Sequence, residues 1–556
     1  MKRVILFLAF LISLSLSAHS LPEHVYFQAM NDELMRTQKQ LRVKGSASPF
    51  FIAYKLKEEH KHQVSASLGS ALPENAPTNH LSALVYMYTG KAAKNSSGFV
   101  PMFQFSNSGR EFAVEFAKYV PKSYEAIRRK LWELTDKAYI FASSAYDKKE
   151  VYKKRKGLQD ELPDFSKAPV SAYRQEIPDF EPLPADTQAV INQISAQGKK
   201  IPYLERFVVR RERVQNRYYF IDSEKDFAQY FVPQDYVHVQ ALFRGKEGDF
   251  HNIFRSYNLS DDPQQQIKQM QEAASEILAE VEAQHQAVRA KQPYVGPVLF
   301  EKKAAVDFFF FFFYPSARHS KSLLRADDRT DNEAGYFKDR LGMRVMSAFF
   351  DVYDKPLLSY KDGIYLSGFM PVDDEGVAAE NIQLVKDGKL IALPTMRSPM
   401  KGQEKNNGHA RANYHMFPRA GLTNLLFEAK ESLSQEQMQE RLLQRCRELE
   451  LEYCYIIPSS FEYWRGKGLP ELVQRIYTKD GRKEAVNGLE IEGLSARSLR
   501  SILAAGKESY VFGDFSKYEM DGASPISITA PSILVDEIEL VPDMKVPDTP
   551  PSVDLP

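Results

Sequence analysis

The side chains able to do chemistry fall into four small groups. His60 and His62 stand two apart, so on a strand their imidazoles share one face and could grip a metal ion. Their neighbours Glu58, Glu59 and Lys61 favour a plainer reading, an exposed polar strand edge. Asp373, Asp374 and Glu375 could attract a cation, but the adjoining Gly376 favours a structural turn. Asn407-Gly408-His409-Ala410-Arg411 is a polar loop segment in which Arg411 could hold a peptide carboxylate or backbone carbonyl and His409 could donate a hydrogen bond. A loop folded on itself accounts for the same residues equally well. Cys446 and Cys454 are the chain's two cysteines. One falls in a helical pattern, the other in a strand-like run, and a bond between them would close a very short loop. Two buried free thiols are expected. Structural zinc takes four ligands, so these sulfurs alone do not make a zinc site. There is no GxSxG elbow, no complete P-loop, no GxGxxG after a strand and no CxxC.

The elements that must position these groups can be read from periodicity. A first helix carries Phe27, Met30, Leu34 and Leu41 on one face. Strands are expected at Pro49–Leu56, Gln63–Leu68 and Leu81–Tyr88, and a second helix from about Ser123 to Ala145. Residues 148–184 are Lys-rich, then Pro-rich, and read as an exposed connector. Strands return at Phe207–Ile221 and Tyr236–Phe243. Asp261-Asp262-Pro263 opens a helix running to about Lys291, with Ile267, Met270, Ile277, Leu278 and Val281 on its apolar face. Pro293 and Pro297 follow, and the main domain boundary is placed here. Beyond it the chain is strand-rich, with tight-turn signals at Asp362-Gly363, Asp387-Gly388, Asp480-Gly481 and Asn487-Gly488. One helix, about Ser434 to Leu449, interrupts the strands.

This gives an α+β chain: an N-terminal helix/sheet domain at 21–295, a β-rich domain at 296–541 and a flexible Pro-rich tail at 542–556. Residues 1–20 combine a basic start, an apolar stretch from Val4 to Leu16 and small residues at Ala18 and Ser20, the pattern of a secretory signal peptide. Export to a periplasmic or extracellular compartment is expected. The 73 basic and 73 acidic residues balance, so charge gives no sign of a nucleic-acid partner. No other apolar run is long enough for stable membrane insertion.

The run Phe308 to Phe313, followed by Tyr314 and Pro315, is apolar all round and calls for burial as a core helix or strand. Its setting carries a resemblance. Ala29-Met-Asn-Asp-Glu-Leu34, Pro49-Phe-Phe-Ile-Ala-Tyr54, Gly296-Pro-Val-Leu-Phe-Glu301 before Ala304-Ala305, Asp373-Asp-Glu-Gly376 before Ile382–Leu390, Asn407–Arg411, and Ala530–Val535 together resemble the TldD/PmbA (TldE) family. That resemblance implies a TldD/PmbA-type fold and assembly as a dimer around a peptide groove. Active members bind zinc through HExxxH and a downstream Cys. Laid on this sequence, those positions hold Phe310, Phe311 and Pro315, with the Cys region at Phe515–Tyr518. Phenylalanine neither ligates zinc nor moves a proton. The resemblance therefore implies a chain without metal or catalytic residues, with zinc in a catalytic partner. It implies a homodimer, or a heterodimer with an HExxxH-bearing homologue, acting on peptides or unfolded proteins. It places Asn407, Gly408, His409 and Arg411 near the substrate groove. A stand-alone peptide-binding module, or a peptidase with another site, stays open.

Overall fold

The computed structural model describes residues 21, 24–73, 76–100, 114–159, 162–246, 248–318, 324–325, 335–412, 418–513 and 525–543. The signal-peptide segment 1–20, the Phe515–Tyr518 region and the tail beyond 543 lie outside them.

The N-terminal half is an antiparallel sheet covered by helices. Helix α1 spans Val25–Gln40 and α2 spans Tyr124–Lys156. The strands are β1 (Pro49–Ser67), β2 (Thr78–Lys91), β3 (Val114–Val120), β4 (Leu204–Asp222), β5 (Phe227–Arg244) and β6 (Phe250–Asn258). They lie side by side in the order β6-β5-β4-β1-β2-β3. Alternation along β1 sets the layers. Ile52, Tyr54 and Leu56 pack with Phe27, Met30, Ile127 and Leu131 of the two helices. Phe51 and Ala53 turn to an aromatic core on the other face, with Tyr86, Phe165, Tyr218, Tyr230 and Val372. Helices α3 (Thr187–Ser195) and α4 (Pro263–Gln286) close the far end around Phe207, Val209, Val237, Val239 and Ile277. Asp262 caps α4 by accepting from Gln264 N at 2.9 Å, with Pro263 beginning the helix. Ile267, expected on its apolar face, is 39% exposed.

Three expectations change. The strands expected at Pro49–Leu56 and Gln63–Leu68 are one strand, β1, and His60 and His62 lie within it rather than on an exposed edge. His60 stacks on Phe180 at 4.8 Å, and His62 Nδ1 accepts from Leu183 N at 3.0 Å, so both pin the segment that crosses the sheet. That segment is also less free than its composition implies. Helix α2 continues to Lys156 before Gly157 ends it in the left-handed region at φ 65°. Lys149 is buried, donating to Asn95 O (2.9 Å), Ser97 O (2.7 Å) and Asp164 (2.7 Å). Ala172–Arg174 then pairs with β5. A lysine with three buried acceptors reads as surface in a sequence, which is why composition alone gives an exposed connector. Finally, the cysteines are not free: Cys446 and Cys454 form a disulfide with a Cα–Cα distance of 6.4 Å. Helix α7 (Gln435–Glu448) and strand β11 (Tyr453–Ile457), introduced next, pack face to face and bring the two side chains together.

The C-terminal half begins with β7 (Tyr294–Phe300), α5 (Lys302–Phe312) and α6 (Tyr314–Ala317). Strands β8 (Phe350–Asp354), β9 (Ile382–Lys386) and β10 (Asn424–Ala429) precede α7 and β11. Then come β12 (Val473–Tyr477), β13 (Lys483–Asn487), β14 (Leu489–Glu492), β15 (Ile502–Phe512) and β16 (Ser527–Pro542). The order is β13-β12-β11-β7-β16-β10-β8-β9, a mixed sheet. On its other edge β16 pairs with β15 and β14. The Asp387-Gly388 turn has φ of 51° and 70°, and the Asp362-Gly363 turn has 51° and 76°; both close hairpins as expected. Gly488 instead releases the chain from β13 to β14, which pairs with β16. Ser434 and Gln437 form a reciprocal cap on α7. Among the described residues no helix is long and apolar enough to cross a membrane.

The disulfide gives a direct test. Denatured, unreduced protein should show no reactive thiol, and two after reduction. Because the cysteines are separated by 8 positions, reduction should lower unfolding free energy by about 2–3 kcal/mol in denaturant titration. Two thiols titrating without reductant would refute the bond.

Candidate functional site

The phenylalanine run forms the C-terminal part of α5 and is walled in by other rings. Phe309 stacks on Phe427 of β10, centroids 3.9 Å apart. Phe313 meets the same ring edge-on at 5.0 Å and Phe337 at 5.5 Å. Phe308 contacts Phe300 at 5.3 Å and Phe312 at 5.2 Å. Phe311, half-buried, lies against Phe461 and Tyr463, and Phe310 stacks on Tyr314. Pro315 does not kink the helix. The ladder of α5 ends where Phe313 N donates to Phe309 O at 2.9 Å, and Pro315 sits in the first turn of α6, where its missing N–H is not needed.

One carboxylate is buried in this helix, Asp307. It pairs with Lys303 one turn away and accepts from Ser460 Oγ at 2.6 Å and Phe461 N at 3.3 Å. Lys303 also lies 4.4 Å from the Phe512 ring centroid. Asp307 is thus engaged by a cation and two further donors and is not poised to activate water. The positions Phe310, Phe311 and Pro315 offer only hydrocarbon. These residues do not fit a zinc ion, and among the described residues no group of three or more His, Cys, Asp or Glu could hold a metal.

The other two candidate segments turn out to be one unit. The Asp373–Gly376 turn docks onto the Asn407–Arg411 loop. Ala410 N donates to Asp373 Oδ2 at 2.9 Å, Asp374 N donates to Ala410 O at 3.0 Å, and Ala412 N donates to Asp374 Oδ2 at 2.8 Å. Asn407 side-chain atoms bond Thr395 N (2.7 Å) and Leu393 O (2.9 Å). His409, fully buried, has Nδ1 at 2.9 Å from Asn407 O and Nε2 at 3.4 Å from Asp354 Oδ2. Arg411 Nη2 donates to Pro525 O at 2.7 Å, which ties the loop to the start of β16. Gly408 is required here: at φ 72° a Cβ would meet Ala378 O at 2.4 Å.

The same turn reaches across to the N-terminal sheet. Lys55 of β1 pairs with Asp374 at 2.6 Å, and Tyr88 of β2 donates to Glu375 Oε1 at 3.1 Å. Arg397 N donates to Glu375 Oε2 at 2.8 Å, while its guanidinium lies over Phe165 and pairs with Glu224 at 2.6 Å. Asp222 and Asp226 crowd Gly376, where a Cβ would come within 2.4 Å of Asp222 Oδ2. Burial first, and the Asp226 charge second, hold the Asp222 carboxyl well above the usual range. Burial pushes Glu375 up to about 7 against the pull of Arg397. It pushes Asp373 up to about 8, with the Glu375 charge adding to the rise and three backbone N–H groups opposing it.

The family model for the PmbA/TldA metallopeptidase C-terminal domain matches residues 293–541. The whole fold is shared with TldE from Thermococcus kodakarensis: TM-score 0.59, 14% identity, covering 92% of this chain and 100% of that one. A Thermotoga maritima structure described as a modulator of a DNA gyrase gives TM-score 0.57 at 12% identity, covering 92% and 99%. A Bacteroides thetaiotaomicron structure of the same description gives 0.56 at 11%, covering 93% and 98%. Residues 293–541 are thus a PmbA/TldA-type C-terminal domain, and the fold of the chain is of TldD/PmbA type. No curated protein matches it.

Sequence reasoning missed Lys55, Tyr88, Asp222, Asp226 and Arg397. Lys55 and Asp374 are 319 positions apart, and nothing local links them. The one available signal was the crowding of acids in Asp222–Asp226 and Asp373–Glu375, two sets that need shared cations.

The raised acids set a pH dependence. A carboxyl whose folded pKa is raised stabilises the fold below its unfolded value and loses that contribution as pH rises through the folded value. For Glu375 the window runs from the ordinary 4.5 to about 7. Its ionisation should cost about 3 kcal/mol across that span. Melting temperature should fall from weakly acidic to weakly alkaline pH, and Glu375→Gln should flatten the fall. Equal slopes in both proteins would exclude Glu375 as the source.

Proposed function

We propose that this chain is the exported, metal-free partner of a zinc-bearing TldD/PmbA peptidase that acts on peptides or unfolded proteins. The observation that carries this reading is helix α5. Where active members place two imidazoles and a carboxylate, Phe310, Phe311 and Pro315 stand among packed rings. Filling the position with hydrocarbon supports a scaffold role, because no water or metal can be activated there.

Two further features support the reading. The N-terminal pattern of residues 1–20 directs export. A disulfide persists in an oxidising compartment, and Cys446–Cys454 suits one. In the assembled pair this subunit would frame the substrate chamber and hold extended peptide along an edge such as that of β6, which among the described residues pairs with β5 alone. The Asn407, Gly408, His409 and Arg411 loop would border that chamber. Among the described residues Arg411 Nε, itself buried, has no acceptor.

Elemental analysis of the mature chain, after exposure to zinc and removal of loose metal, should find none. An HExxxH-bearing homologue from the same organism should hold zinc, co-purify with this chain, and cleave unfolded protein faster in its presence. One tightly held zinc per chain, or chelator-sensitive hydrolysis by this chain alone, would overturn the proposal.

A further inference from the structure

Apart from the phenylalanine helix, a groove of about 560 Å³ lies between α4 and the C-terminal sheet. Its walls are α4, the end of β6, the start of α5, the first turn of α7 and a bulge in β15. The bulge falls between Ala505 and Ser509, where the pairing of β15 with β16 slips and Gly506, Lys507 and Glu508 leave the ladder.

The lining is acidic. Glu272, Glu276, Glu301 and Glu508 face Lys302 and Lys507. Glu301 is the telling residue. It is 8% exposed, and among the described residues its Oε1 has no hydrogen-bond partner, the side chains of Gln435 and Gln439 being the polar groups that act on its carboxyl from α7. The Tyr257 hydroxyl on the same wall is buried too, with the Arg255 guanidinium as the charge acting on it. A buried carboxylate oxygen without a donor is costly, and a ligand that supplies one recovers that cost. Lys302 already rests its ammonium on Glu276 at 3.0 Å, so this wall accepts an alkylammonium. Lys302 is held there from a left-handed backbone at φ 46°.

The remaining wall is apolar in part, with the rings of Tyr257 and Tyr510 and the side chain of Ile364. A small inorganic cation is a poor match, because among the described residues no three carboxylates converge closely enough to bind one. A cation carried on a hydrocarbon stem matches both kinds of wall.

We propose that this groove binds an organic cation, the ammonium or guanidinium of a lysine or arginine side chain in a peptide or of a free alkylamine. The charge sits on Glu301, and the stem lies along Tyr257 and Tyr510. The inference does not depend on the partner-subunit reading, although the groove borders the end of β6 and the start of α5.

Isothermal titration of the mature chain with agmatine, a capped lysine tripeptide and the matching glutamate tripeptide tests it. The cationic probes should bind and the glutamate peptide should not. Glu301→Gln should weaken the cation by about tenfold or more while keeping the side chain's shape. Glu276→Gln is the second variant, in case the first fails to fold, and should weaken it by a smaller factor. Tighter binding of the lysine peptide than of agmatine would assign the groove to peptide side chains, and the reverse order to free amines. No binding of either cation at millimolar concentration, or unchanged affinity in both folded variants, would overturn the proposal.

Discussion

Six consecutive phenyl rings, five on α5 and Phe313 just past its end, leave no face suited to water, and the C-terminal half is arranged around that constraint. Burying one phenylalanine contributes about 1.5–3 kcal/mol, and the contribution is lost wherever a wall is missing. The walls come from widely separated parts of the chain: Phe300 on β7, Phe337 in the loop before β8, Phe427 on β10, and Phe461 with Tyr463 after β11. Strand β16 makes these walls one surface. It pairs with β7 and β10 along one edge and with β15 and β14 along the other, so its backbone groups are satisfied by four partners. The helix cannot carry a metal site and this packing at once. Imidazoles in the same places would need donors, acceptors and an opening to solvent, and the rings close that opening.

The same economy of partners governs the junction between the halves. The Asp373–Gly376 turn is held from below by backbone N–H groups of the Asn407–Arg411 loop and from above by Lys55 and Tyr88 of the N-terminal sheet. Buried carboxylates this close cannot all ionise cheaply, and Arg397 and Lys55 supply too little charge to offset six acids in the neighbourhood. The turn is therefore a structural junction whose strength depends on protonation.

What could be read in the sequence follows the range of the interaction. The caps at Asp262 and Ser434 and the left-handed Asp-Gly turns are set by neighbours within a few positions, and each is legible in the sequence. The helix α5 was legible as buried but not as helix, since an unbroken apolar run has no period to distinguish the two. Lys149 was misjudged because a buried lysine looks like a surface one until its acceptors at Asn95, Ser97 and Asp164 are seen. His60 and His62 were misjudged because strand β1 is longer than its apolar stretches, and its polar middle is covered by a segment more than a hundred positions away. The cysteine bond was missed because the short loop argues against closure only if helix and strand diverge, and here α7 and β11 fold back on one another.

Family likeness and local chemistry point in different directions along this chain, and the difference is informative. The turn and loop segments that resemble the family, Asp373–Gly376 and Asn407–Arg411, are the ones the fold uses to join its two halves. Their glycines, Gly376 and Gly408, sit where any Cβ would strike a carboxylate or a carbonyl. Such residues are fixed by packing whether or not a metal is present. Helix α5 is under no such demand. Its inner face needs only volume and apolarity, and phenylalanine supplies both. The turn and loop that join the halves and the phenylalanine helix therefore rest on different physical requirements, close backbone approach in the one and apolar volume in the other.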